Sequence, residues 1–149
     1  MLVRTLLADH SELSLIGLQS IFADVPRIEV VGVARDPIEL QAQIVRLKPH
    51  IVLLDHTAEG FGPQAIREGR KRSRSTLFVS ITTDPSAFAL MGAIRAGVTS
   101  YIKKDCDIDE IINAVLQTAD GDKFFCGKIL ETLRKSSFDM EQFLTEPLS

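Results

Sequence analysis

Pro49-His50-Ile51-Val52-Leu53-Leu54-Asp55-His56-Thr57 is the stretch on which the fold turns. Its four consecutive apolar residues, Ile51 to Leu54, show no alternation with polar ones, so a strand built from them must be buried on both faces. Such strands lie in parallel sheets covered by helices on either side. Four further runs are rich in Val, Ile and Leu, and most of them likewise lack strict alternation: Val3 to Ala8, Ile28 to Ala34, Leu77 to Thr82 and Ser100 to Lys103.

Between these runs the apolar period changes to that of a helix. Ile108, Ile111, Ile112 and Val115 fall at i, i+3, i+4 and i+7, a stripe expected to face a core. Leu13, Ile16 and Ile21 are expected to do the same earlier, as are Leu40, Ile44 and Leu47. Start and stop signals agree. Asp36-Pro37-Ile38-Glu39 supplies an N-cap, a first-position proline and an acid, and Asp107 to Glu110 repeats the acid spacing. Asp84-Pro85 is expected to open another helix and Gly97 to close it. Five alternations of strand and helix with short connections predict an α/β fold: one doubly wound parallel sheet with helices on both faces. In the flavodoxin-like strand order 2-1-3-4-5, the crevice opens at the carboxyl ends of the first and third strands.

The chain of 149 residues is the size of one ordinary domain, able to bury roughly 70% of its unfolded surface without a disulfide or metal staple. With 45% hydrophobic and 25% charged residues and a formal net charge of -3, it has no composition suited to a surface dominated by nucleic acid. Its dense basic cluster, Lys71, Arg72 and Arg74 after Arg67 and Arg70, reads as a solvated helix face and loop. Cys106 and Cys126 are too few for a disulfide framework and too far apart for a short-spaced zinc or C-x-x-C site, so both read as structural thiols in a reducing cytosol. The apolar run at the N-terminus ends at Asp9, His10 and Glu12, too early for a secretory segment or a membrane span. A cytoplasmic protein is expected.

Polar residues gather at the strand ends. Asp9 and His10 follow the first run, Asp55 and His56 the third, Thr82 and Thr83 end and follow the fourth, and Lys104 follows the fifth. A single acid after a strand is ordinary turn chemistry. Two acids, a hydroxyl and an amine converging on one crevice point to a site. Taken singly, Tyr101 reads equally well as core filling, Lys104 as an exposed lysine, Thr82 as one of several helix-capping candidates with Thr83 and Asp84, and His56 as a surface or loop histidine.

Leu7-Ala8-Asp9, Ile51-Val52-Leu53-Leu54-Asp55 and AIRAGVTSYIKKD, residues 93 to 105, resemble receiver domains of two-component response regulators of the LuxR/FixJ, or NarL-like, type. The resemblance covers about residues 2 to 120, and the receiver is expected over 1–120. It implies a signalling module rather than an enzyme, taking a phosphoryl group on Asp55 from a sensor histidine kinase. It further implies Lys104 as the partner of the phosphate, Thr82 as the switch hydroxyl and Tyr101 as the aromatic residue that turns on activation. Magnesium is implied among Asp9, Asp55, Thr57 and His10. The residue types suit these tasks. A carboxylate can accept a phosphoryl group, a hard cation held by carboxylates offsets the repulsion between anions, and a lysine acts on phosphate as a compact charge. The resemblance implies that the output is a population shift in the surface of the fourth helix, fifth strand and fifth helix, with a homodimer on activation and transcription regulation expected to follow.

Two departures from the family matter. His10 stands where the second acid of the metal-binding pair is usual, so magnesium binding is expected to be weak, with His10 either beside the ion or turned away from it. His56-Thr57-Ala58-Glu59-Gly60 replaces the familiar methionine-proline turn. These favour an alternative: a pseudo-receiver that works as a protein-interaction or dimerisation module without phosphate. A small flavodoxin-like enzyme is the least supported reading, since no glycine-rich phosphate loop follows the first strand.

Residues 121–149 are expected to form a C-terminal helix, from Phe124, Phe125, Ile129, Leu130 and Leu133, and a polar linker from Lys135 to Gln142. Phe143-Leu144-Thr145-Glu146 resembles the threshold of a helix-turn-helix domain. Contact with DNA is therefore expected only through a domain that this chain does not contain. A receiver cut from a longer regulator and a naturally short protein would read alike.

Overall fold

The computed structural model describes residues 2–83 and 86–135. All five strands appear at the expected bounds: β1 (Val3–Ala8), β2 (Ile28–Ala34), β3 (Ile51–Leu54), β4 (Leu77–Thr82) and β5 (Ser100–Lys103). They form one parallel sheet in the order β2-β1-β3-β4-β5. Every residue of β3 is buried, as its unbroken apolar run requires of a central strand.

The helices are α1 (Glu12–Ala23), α2 (Pro37–Leu47), α3 (Pro63–Arg72), α4 (Ala87–Ala96), α5 (Ile108–Ala119) and α6 (Gly127–Lys135). Helices α1 and α5 touch on one face of the sheet, and α2, α3 and α4 pack in sequence on the other. None among the described residues is long and apolar enough to cross a membrane. Asp36 caps α2 by accepting the amide proton of Glu39 at 2.8 Å, with Pro37 at the helix start. Gly97 ends α4 with φ of 116°, a left-handed conformation that glycine adopts without a Cβ clash.

The inward faces of two helices differ from expectation. Leu13 and Ile16 on α1 are 83% and 60% exposed, and Leu15, Leu18 and Phe22 are buried instead. Helix α1 is apolar on several sides, so more than one stripe satisfies the helical period and only the sheet selects among them. Ile108 is likewise exposed at the mouth of α5, whose buried residues are Ile111, Ala114, Val115 and Thr118. The start of α4 also shifts. Ser86 caps it by accepting the amide proton of Ala89, so neither Thr82 nor Thr83 is its cap, and Asp84-Pro85 lies outside the described residues.

Beyond α5 the chain returns along the open edge of the sheet. The Tyr101 amide donates to the Phe124 carbonyl at 2.9 Å, the Cys126 amide donates to the Tyr101 carbonyl at 3.3 Å, and Tyr101 pairs with Phe125 in a parallel bridge. Phe124 to Cys126 are therefore extended rather than part of a helix, and they cover an edge that would otherwise present unpaired backbone groups. Helix α6 follows, burying Ile129 and Leu133, and Lys135 is its last residue rather than the start of a linker. The rest of the expected linker, and Phe143 to Glu146, lie outside the described residues.

Candidate functional site at the carboxyl end of the sheet

Strand register assembles the site. Ala8 pairs with Leu54, so the next residues, Asp9 and Asp55, leave the sheet side by side. Thr82 pairs with Lys103, which sets Lys104 beside the end of β4. Three backbone bonds continue the ladder past the strands: Asp9 to Ala34 at 3.1 Å, Asp55 to Ala8 at 3.1 Å and Lys104 to Thr82 at 2.7 Å, each from amide to carbonyl.

Lys104 joins the two acids. Its Nζ donates to Asp9 Oδ2 at 2.8 Å and lies 2.9 Å from Asp55 Oδ2, with both carboxylates nearly closed to solvent. The remaining oxygens are held locally. Asp9 Oδ1 accepts from the Ser11 amide at 2.9 Å, and Asp55 Oδ1 accepts from the Thr57 amide at 2.9 Å and its hydroxyl at 2.6 Å. Burial pushes the Asp55 carboxyl upward, but the hydrogen bonds from Thr57 and Lys104 outweigh it and leave Asp55 below the ordinary carboxylate range. For Lys104, burial acts downward and is outweighed by Asp9 and Asp55, so its ammonium is held above the usual lysine range. At neutral pH Asp55 is thus a carboxylate and Lys104 an ammonium.

Thr82 is fully buried at the end of β4, with its Oγ1 3.0 Å from Thr57 Oγ1. Thr57 thus links the acid to the hydroxyl expected to switch. His10 is not brought into this group. Its Nε2 lies 2.6 Å from the Glu59 carbonyl, and its ring packs against Phe61 with centroids 5.1 Å apart. Of the residues expected around magnesium, Asp9, Asp55 and Thr57 therefore lie together in the crevice and His10 does not. The oxygens of Asp9 and Asp55 suit magnesium, which needs one or two carboxylates and fills its remaining positions with water or phosphate oxygens.

His56 was expected on the surface or in a loop and is instead buried. Its Nδ1 lies 2.6 Å from Ser80 Oγ, and the Tyr101 hydroxyl lies 2.5 Å from its Nε2 and 2.9 Å from its Nδ1. Burial lowers the imidazole pKa to about 4 against the opposing charge of Asp55 and a backbone contact with Ala89, so the ring is neutral. Tyr101 is turned fully inward, 0% exposed, and Ser80 is its neighbour in the β4–β5 register. A histidine immediately after the acid was the available signal, but nothing in the sequence says which way it turns.

No protein-family model matches the chain. It is 28% identical over 148 residues to the response regulator GacA of Pseudomonas aeruginosa, covering 95% of this chain and 66% of GacA. It is 29% identical over 150 residues to the response regulator protein VraR of Staphylococcus aureus, covering 98% of this chain and 72% of VraR. The chain thus spans about two thirds of GacA's length. Its fold matches that of a LuxR-family two-component response regulator from Aurantimonas sp. SI85-9A1 with a TM-score of 0.84 at 23% identity, over 91% of this chain and 98% of that one. In sequence the chain is similar to the response regulators GacA and VraR, and in fold and strand order, 2-1-3-4-5, to receiver domains of response regulators of the LuxR/NarL type.

Proposed function

We propose that this receiver accepts a phosphoryl group on Asp55 from a histidine kinase in the cytoplasm and passes the event to an output surface for transcription regulation. The observation that carries this reading is the bridge from Lys104 to both Asp9 and Asp55, since it sets a cation beside the one acid that ends the central strand. In the reaction, an Asp55 carboxylate oxygen attacks phosphorus, the bond from phosphorus to the donor nitrogen breaks, and the donor imidazole keeps the electron pair. Lys104 then pairs with the phosphate oxygens. Thr57 has to release Asp55 Oδ1 if that oxygen is the one that attacks, and Thr82 becomes free to donate to the product. Magnesium, held by Asp9 and Asp55 beside Thr57, would supply neutralising charge on the transferring group. Leu13 and Ile16 of α1 offer an exposed apolar surface to a kinase. The chain acts by switching rather than by turnover, forms a homodimer when active, and reaches DNA through a domain outside it.

A second reading is a receiver that signals without phosphate. Three features favour it: His10 is turned to Glu59, the Thr57 hydroxyl covers the Asp55 carboxylate, and Tyr101 is already inward. Intact mass after incubation with a small phosphodonor and magnesium separates the two. One added phosphate on the native chain and none on Asp55→Asn is the expected result. A native chain that stays unlabelled while folded supports the second reading, and equal labelling of Asp55→Asn overturns the role of Asp55.

A further inference from the structure

Cys106 and Cys126 stand 20 residues apart in sequence, and the return of the chain along β5 brings them together. Cys106 lies in the turn between β5 and α5, where its amide donates to the Lys103 carbonyl at 3.1 Å. Cys126 closes the extended segment hydrogen-bonded to Tyr101 and immediately precedes α6. Both are free thiols, 7% and 1% exposed, and the Cys106 thiol faces Cys126 Sγ at 2.7 Å. That separation is only about 0.7 Å longer than a sulfur–sulfur bond of roughly 2.05 Å.

The Glu110 carboxylate, on the first turn of α5, has an oxygen within 4.8 Å of both sulfurs. A thiophilic metal is thus the competing chemistry. Two thiolates on one tetrahedral zinc, each bound at about 2.3 Å, sit roughly 3.8 Å apart, so a metal requires the pair to open while a covalent bond requires it only to close. Among the described residues three ligands gather here, where structural zinc takes four.

We propose that Cys106 and Cys126 form a reversible intramolecular disulfide on exposure to a hydroperoxide, stapling α6 to the edge of the receiver sheet. Cys106, the more exposed thiol, attacks one peroxide oxygen. The oxygen–oxygen bond breaks, the leaving hydroxide takes up the thiol proton as water when the oxidant is hydrogen peroxide, and a sulfenic acid results. Cys126 Sγ then attacks Cys106 Sγ, the sulfur–oxygen bond breaks, and a second water leaves with the Cys126 proton. Two thiols and one peroxide become one disulfide and two waters, with the sulfurs oxidised and the peroxide reduced.

Burial, with the Cys126 contact adding to it, pushes the Cys106 thiol up to about 12. The thiol form therefore dominates at neutral pH, and its oxidation is slow. The staple acts on α6 because Cys126 precedes Gly127 directly, and in the reduced state that helix is held by the burial of Ile129 and Leu133 and by the short pairing with Tyr101. It needs no phosphate, so its success or failure is independent of the role of Asp55.

The test exposes the full chain to hydrogen peroxide, denatures it and labels it with a maleimide. Expected is a monomer that has lost the mass of two hydrogens and takes up no label, with both labels restored by dithiothreitol. Cys106→Ala and Cys126→Ala should each leave a chain that forms no internal disulfide. Both thiols still labelled after prolonged oxidation, or disulfides found only between chains, would overturn the proposal, as would zinc that co-purifies and blocks the oxidation. Amide exchange over residues 127–135 should slow several-fold in the oxidised native chain. Unchanged exchange despite a formed disulfide would refute the staple.

Discussion

The Tyr101 hydroxyl and the His56 imidazole are hydrogen-bonded to each other inside the protein, 2.5 Å apart at Nε2, with the rings meeting edge to face at 75° and a centroid separation of 4.9 Å. The aromatic residue expected to turn on activation is therefore held inward by the residue that follows Asp55. Ser80 completes the group through His56 Nδ1. Between Asp55 and Tyr101 the connection is a single side chain.

This arrangement predicts a pH dependence. A histidine whose folded pKa is depressed, here to about 4 from 6.5, contributes stability that is fully present above 6.5 and falls as the unfolded state alone takes up a proton. The contribution of this group should fall by up to about 3 kcal/mol from about pH 6.5 to 4 and stay level below, where protonation of Asp55, held below the ordinary carboxylate range, takes over the loss. Urea unfolding followed by the emission of Tyr101 checks it, since the chain has one tyrosine and no tryptophan. The excess slope over that window should vanish in His56→Gln, and a slope equal to that of the native chain would assign the titration elsewhere.

Lys104→Ala should cost about 1–3 kcal/mol of stability, because it leaves Asp9 and Asp55 nearly buried and facing each other without a cation. The loss exceeds that expected of an exposed lysine, since only 22% of this side chain is open to solvent. Labelling of Asp55 by a phosphodonor should fall as well. Thermal unfolding with and without magnesium tests the charge argument: added magnesium should recover more stability in the variant than in the native chain.

Thr57→Val keeps the amide bond to Asp55 and the side-chain volume while removing the hydroxyl from Asp55 Oδ1 and from Thr82. The Asp55 carboxyl should titrate higher and label several-fold faster, since the hydroxyl no longer occupies a nucleophilic oxygen. Carboxyl titration by NMR and single-turnover labelling measure the two effects. Slower labelling would mean that Thr57 assists the transfer instead of restraining it.

His10→Asp should tighten magnesium about tenfold, equivalent to about 1.4 kcal/mol, by placing a carboxylate next to Asp9 and removing the ring from the Glu59 carbonyl. Magnesium titration of both proteins decides it. Equal affinities would show that the side chain at this position does not reach the ion.

Strand bounds were legible in the amino-acid sequence because Val3–Ala8, Ile51–Leu54 and the other runs are rich in Val, Ile and Leu and end at polar or turn residues, and the strand order followed from the flavodoxin-like pattern that five strand–helix alternations imply. The convergence of Asp9, Asp55, Thr82 and Lys104 was legible for the same reason. Residues that end neighbouring parallel strands must emerge at the same edge, whatever their rotamers. Three other features were decided by the tertiary structure alone. The inward stripe of α1 was open to more than one assignment until the sheet selected Leu15, Leu18 and Phe22 over Leu13 and Ile16. The direction of His56 depends on a space bounded by Ser80 and Tyr101, which only the β4–β5 pairing creates. The approach of Cys106 to Cys126 requires Phe124 and Cys126 to hydrogen-bond to Tyr101 along an otherwise open sheet edge. Periodicity reports how often a chain meets its core, whereas contacts between side chains distant in sequence are set by the register and packing of whole elements.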